Sequence, residues 1–67
     1  MRYKLGIARK IAELTQQEAA DRIGVSRTTI QNWESYKTSP DATDMEKICE
    51  AYGLSSDEII FSPKKLT

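Results

Sequence analysis

Six polar side chains lie at helical spacing between residues 26 and 35: Ser26, Arg27, Thr28, Gln31, Asn32 and Ser35. Only Arg27 among them is charged. Arg27 can place two donors on guanine O6 and N7, Asn32 or Gln31 can bond adenine N6 and N7, and the Thr28 methyl can touch that of thymine. A helix face that is only solvated more often carries Glu and Lys pairs. The chemistry on offer is the reading of base edges, not the breaking of bonds. Catalysis needs a pocket with converging groups, and 67 residues without a histidine are too few and too plain to build one, so no catalytic residue is expected. The carboxylates Asp57 and Glu58, like Asp44 and Glu46, fall at helix starts, where the backbone dipole favours negative charge. Cys49 is the single cysteine. It can form no internal disulfide and has no second soft ligand, so neither a metal nor a cofactor is expected.

A face of this kind must be held by other elements, and these are legible in the spacing. Thr15 and Glu18 form a capping box, in which each side chain satisfies an orphan amide of the other residue. A helix therefore starts at Gln16. Ala19, Ala20 and Ile23 line its inner side, and Gly24 stops it in the left-handed conformation. Only Val25 and Ser26 intervene before the next helix, which Ser26 caps and which runs through Ile30 and Trp33. Two helices joined this tightly form a helix-turn-helix unit over residues 16–35. Ala20 is small enough for a steep crossing, with Ile23, Val25, Ile30 and Trp33 locking it from inside.

Leu5, Ala8 and Ala12, with Ile11 alongside, form the inner face of a helix before this unit. After it, Thr38-Ser39-Pro40-Asp41 is a turn. Met45, Ile48, Cys49 and Tyr52 then make the amphipathic stripe of a helix over 42–52, which Gly53 ends. Ser55 and Glu58 form a second capping-box pattern and predict a short final helix containing Ile59 and Ile60. The expected fold is all-α: a compact bundle of five short helices in one domain over 1–61, with a C-terminal tail over 62–67.

The charges balance at ten Lys and Arg against ten Asp and Glu, which by itself argues against a strongly basic nucleic-acid binder. They are not evenly spread. Residues 1–40 carry seven positive and four negative groups, a net +3, and residues 41–67 three positive and six negative, a net −3. The front of the chain is therefore the half suited to an anion. No apolar run approaches the roughly 20 residues of a membrane span, and Met1–Gly6 lacks the apolar stretch of a secretory signal. A cytoplasmic protein without a membrane partner is expected.

Residues 5–60 resemble the helix-turn-helix family of Cro and the lambda-type phage repressors. The resemblance is carried by Leu5-x-x-Ala8-Arg9, Leu14-Thr15-Gln16-Gln17-Glu18-Ala19-Ala20, Ile23-Gly24-Val25-Ser26, Thr29-Ile30-x-x-Trp33-Glu34, Pro40, Ile48 and Gly53-Leu54-Ser55, with no gap in the spacing. It implies a lambda repressor-like DNA-binding domain in which Arg27, Thr28 and Asn32 read bases in the major groove of double-stranded DNA, with Gln31 beside them on the same face. Gln16, Ser26 and Ser35 occupy phosphate-contacting positions, and Lys37 lies in the loop that tracks the backbone. Arg9 and Glu34 stand where similar proteins pair inside the domain, and Trp33 belongs to the core.

The chain departs from the family in four places. Tyr36 stands where a glycine usually follows the recognition helix. A tyrosine with positive φ is strained, so either the helix runs longer or the loop differs. Ala19 replaces the usual leucine and leaves room for Trp33. Glu13 replaces a common glycine. Ser39, Asp41 and Ala42 stand where basic residues often sit, which implies fewer phosphate contacts and a shallower salt dependence.

One such domain reads only about 4–5 base pairs and discriminates poorly against competing sites. Two copies about one helical turn apart read a palindrome. A homodimer is therefore expected, with Ile60 and Phe61, followed by Pro63 and Leu66, at the contact; Ile60 and Phe61 can alternatively close the small core. The resulting expectation is a transcriptional regulator of the repressor type that occludes a palindromic operator. The alternative is a protein-interaction module of the antitoxin or co-repressor type, with weak DNA binding and a partner regulator or toxin. Zero net charge leans towards that alternative, and the polar face around Arg27 and Asn32 leans against it.

Overall fold

The computed structural model describes residues 1–62. Its order is β1 (Tyr3–Lys4), α1 (Leu5–Ile11), α2 (Gln16–Ile23), α3 (Arg27–Glu34), α4 (Ala42–Tyr52), a 3-10 turn (Ser56–Glu58) and β2 (Ile59–Ile60). The helices begin and end where local chemistry directs. Thr15 Oγ1 accepts from the Glu18 amide at 3.1 Å while the Glu18 carboxylate accepts from the Thr15 amide at 2.8 Å. Ser26 Oγ caps α3 through the Thr29 amide at 3.1 Å, and Asp41 caps α4 through the Asp44 amide at 2.8 Å. Gly24 (φ 89) and Gly53 (φ 70) end α2 and α4 in the left-handed region, which glycine enters without a steric penalty.

Four α-helices are present among the described residues, not five. The segment expected to be a fifth helix makes one 3-10 turn and then extends. The Glu58 carboxylate does reach back to the Ser55 amide at 3.0 Å and hydroxyl at 3.2 Å. A cap starts a turn but cannot propagate it. The two β-branched residues that follow favour extended backbone, and β1 offers them a ladder. β1 and β2 pair in parallel, Tyr3 with Ile59 and Lys4 with Ile60, so both ends of the described chain meet in one small sheet.

The core lies between α1, α2, α3 and α4. Ala8, Ala19 and Ala20 are fully buried and let the helices approach closely, while Ile30, Ile48 and Trp33 fill the centre. α3 packs chiefly on α2. Ile59 and Phe61 close the core from the C-terminal side. Ile11 was expected on the inner face of α1 but is 48% exposed. It sits about 100° around the helix from Ala12, and the inward face takes the smaller residue.

Among the described residues two other than glycine have positive φ, Glu13 at 61° and Tyr36 at 62°. Tyr36 therefore occupies the usual glycine position in glycine's own conformation. α3 does not run longer; it ends at Glu34, and the Lys37 amide folds back onto the Asn32 carbonyl at 2.9 Å. Left-handed backbone costs an L-residue about 1–2 kcal/mol, and the tertiary contacts of the phenol offset it.

Tyr52 is buried on the inner face of α4. Burial first, and then the negative charge of Glu34, push its phenol up to about 12, against a smaller opposing effect of Arg9. A folded value above the unfolded one, near 10, means that the neutral phenol's stabilisation is complete below pH 10 and is lost as pH rises towards 12. Denaturant titrations across that window should show falling stability, and Tyr52→Phe should flatten the decline. An equally steep decline in Tyr52→Phe would assign it to other groups.

Candidate nucleic-acid interface

α2 and α3 are joined by a turn that leaves no slack. The Gly24 and Val25 amides both donate to the Ala20 carbonyl, at 2.8 and 3.0 Å. With Ile30 and Trp33 facing the core, the opposite face of α3 is presented outward. Arg27, Thr28 and Gln31 on it are exposed, and Asn32 is half-buried. The outer end of α3 is flanked by exposed Ser26 at its start and exposed Ser35 and Lys37 at its finish. Ser26 Oγ is engaged in capping, and also lies 3.0 Å from Thr29 Oγ1. Ser35 Oγ donates to the Asn32 carbonyl at 3.2 Å. Both hydroxyls thus have internal partners in the unbound protein.

Behind this face runs a hydrogen-bonded relay. Arg9 donates from Nε to Glu34 Oε2 at 2.6 Å and from Nη2 to Glu34 Oε1 at 3.3 Å, and its Nη1 bonds the Leu14 carbonyl at 2.8 Å. The planar guanidinium suits this forked contact with a carboxylate. The Glu34 hydrogen bond is the main reason the Arg9 pKa is raised above its ordinary value. Gln16 extends the relay: its Nε2 donates to Glu34 Oε1 at 3.1 Å, and its Oε1 accepts from Gln31 Nε2 at 3.4 Å. One residue from each of α1 and α2 and two from α3 are thereby joined. Gly6 makes room for it, since a Cβ there would lie 3.3 Å from Glu34 Oε1.

Arg9, Thr15, Gln16, Gln17 and Arg27 line an open concavity of about 420 Å³ at the start of α2. The Arg9 guanidinium is already paired with Glu34, so Arg27 and the first-turn amides of α2 are the groups that favour an anion there. Gln17 was not singled out from the sequence; its position beside Gln16 in the first turn was the available signal. Among the described residues no group of three or more His, Cys, Asp or Glu converges to hold a metal ion. Cys49 is half-buried, and burial pushes its thiol up, away from the reactive thiolate.

Ile60 and Phe61 do not form one surface patch. Phe61 is buried in the core of its own chain, and Ile60 is half-buried. Phe61, in the bend just after β2, turns into the core with Ile59. In this position Phe61 closes the core, the alternative that the sequence left open for it. Pro63 and Leu66 lie outside the described residues.

The profile of the helix-turn-helix family matches residues 5–59. This chain belongs to the helix-turn-helix family. Among its relatives, it is 33% identical over 96% of its length to the HTH-type transcriptional activator BcrR of Enterococcus faecalis, covering 31% of that protein. It is 32% identical over 92% of its length to the HTH-type transcriptional regulator PuuR of Escherichia coli, covering 34%. It is 34% identical over 88% of its length to the cryptic phage CTXphi transcriptional repressor RstR of Vibrio cholerae, covering 53%. The chain thus spans about a third of the first two relatives and about half of the third. No solved structure gives a significant match. Within this helix-turn-helix domain, α2 packs against α3, and α3 carries the outward polar face. No helix among the described residues is long and apolar enough to cross a membrane.

Proposed function

We propose that this helix-turn-helix domain binds double-stranded DNA in a sequence-specific manner and regulates transcription as a repressor. It acts as a binder and not as an enzyme. The observation that carries the reading is the outward face of α3, where Arg27, Thr28, Gln31 and Asn32 stand together beside the Arg9–Arg27 concavity. Side chains able to read base edges then lie next to a site suited to a phosphate, and phosphate contacts orient while base contacts specify. Gln16, Ser26, Ser35 and Lys37 supply the backbone contacts. The repressor reading takes support from RstR, the relative of which this chain covers the largest share of those compared.

A single α3 is too short to select one site in a genome, so the domain binds as a dimer on a palindrome with half-sites about 10 base pairs apart. Phe61 is held in the core, which leaves Ile60 as the residue of that pair with surface to offer a second copy. A second reading, docking of a protein partner, is favoured by Ile7 and Ile11, two exposed isoleucines one turn apart on α1, each 48% exposed.

Selection of bound sites from a random duplex pool tests the proposal. A recovered palindrome supports it, and no enrichment by folded protein turns the assignment to the protein-partner reading. On the selected site, Arg27→Ala should weaken binding by about 1–3 kcal/mol and relax preference at one base position. Unchanged affinity and preference in that variant would remove Arg27 from the reading face.

A further inference from the structure

We infer that Tyr36 is a positioning residue: its hydroxyl fixes the end of α3 and the reach of Lys37 for DNA. The inference rests on the DNA-binding reading above. Tyr36 holds the left-handed conformation at φ 62 that a glycine would take freely, so the tyrosine side chain must do something that a glycine would not. Its hydroxyl donates to the Ile60 carbonyl at 2.6 Å and accepts from the Leu5 amide at 3.2 Å. Leu5 opens α1, and Lys4 before it supplies no side-chain cap. The first amides of a helix need an outside acceptor, and the phenol provides one. A single oxygen thus ties the exit of α3 to the start of α1 and to β2.

The next residues inherit that placement. The Lys37 and Thr38 amides both bond the Asn32 carbonyl, at 2.9 and 3.4 Å. Asn32 belongs to the reading face, so the last turn of α3 and the loop that carries Lys37 form one hydrogen-bonded unit. That unit is anchored on one side by α3 itself and on the other by the Tyr36 bridge. Without the bridge, the left-handed residue has little to hold it, and the Lys37 ammonium loses its fixed distance from the backbone.

The test is a double-mutant cycle read as salt dependence. Duplex binding is measured against salt concentration for the wild type, Tyr36→Phe, Lys37→Ala and the double variant. Lys37→Ala should reduce the slope of log K against log salt by about one. Tyr36→Phe removes only the hydroxyl and should reduce the slope by a similar amount, with about ten-fold weaker binding at moderate salt. The double variant should match either single variant. Wild-type slope in Tyr36→Phe, with Lys37→Ala additive to it, would overturn the inference even if the melting temperature fell. Tyr36→Gly takes the left-handed backbone without strain or bridge and guards against misfolding of the phenylalanine variant; it should keep a slope nearer the wild type than Tyr36→Phe does, and a Tyr36→Phe slope no lower than that of Tyr36→Gly overturns the inference. In the unmodified protein, the Leu5 amide should exchange with solvent as slowly as core amides, and free exchange would show the bridge unmade. Failure of the DNA reading itself is distinct: the wild-type titration alone would show no duplex binding, and the positioning role would fall with it.

Discussion

Trp33→Ala is expected to leave most of the protein unfolded at room temperature. The indole is 5% exposed and sits on the inner face of α3, within the core shared with α1, α2 and α4. Truncating a buried tryptophan removes about 3–5 kcal/mol through lost burial and the cavity left behind. A core of this size supplies little more than that, about 3–5 kcal/mol. The effect would also reach function directly. α3 has eight residues, and isolated helices shorter than about 12–15 residues are marginal in water, so its outward polar face exists only while packed. Far-UV circular dichroism with denaturant titration measures this without relying on the lost fluorophore. A cooperative transition at the wild-type midpoint would contradict the placement of Trp33 at the centre of the core.

Glu34→Ala is the second large effect, expected at about 3 kcal/mol. The Arg9 and Glu34 side chains are only 11% and 13% exposed. Removing the carboxylate leaves the guanidinium without its forked partner in a place that water reaches poorly. It also takes from Gln16 the acceptor at 3.1 Å, which frees the side chain that bridges to Gln31. The variant should therefore lose DNA affinity beyond what its folded fraction explains. In the Arg9→Ala, Glu34→Ala double variant the loss should be smaller than the sum of the single losses, because no charge is stranded. Strictly additive losses would mean that the 2.6 Å contact contributes nothing as a pair.

How much of this could be read without coordinates follows the range of the interactions. Thr15 with Glu18 and Ser26 with Thr29 are partners three residues apart, and spacing alone locates these caps; it marks Asp41, whose side chain caps α4 at Asp44, only as the end of a turn. Gly24 and Gly53 stop helices for a reason contained in one residue, the missing Cβ. Both ends of α2, the start of α3 and the glycine stop of α4 were legible on these grounds, as was the inward side of the helix-turn-helix unit. Ser55 and Glu58 show where such reasoning stops. Their local hydrogen bonds formed, yet the chain beyond them became a strand, because β1 at the other end of the molecule offered it backbone partners.

The site divides in the same way. The residue types of the α3 face are a property of the sequence, and helical periodicity with Ile30 and Trp33 inward left Arg27, Thr28 and Gln31 outward. The relay through Gln16 was not legible, because it depends on distances between α1, α2 and α3 that only packing sets. Tyr36 is the sharpest case. The sequence marked it as a departure and correctly raised the problem of positive φ, but the solution lies 31 residues away at Leu5 and 24 residues away at Ile60.

By itself, then, the sequence determined the capped helix starts, the glycine stops of α2 and α4, the polar identity of the outward face of α3 and the apolar identity of the core. These are decided by contacts within one or two turns and by the difference between burying carbon and burying charge. Tertiary structure alone decided that Ile59 and Phe61 close the core, that the last segment is extended, and that Tyr36 bears a conformation disfavoured for its type. Those outcomes depend on which distant groups arrive with an unfilled hydrogen bond or an uncovered apolar surface, and no local spacing encodes that.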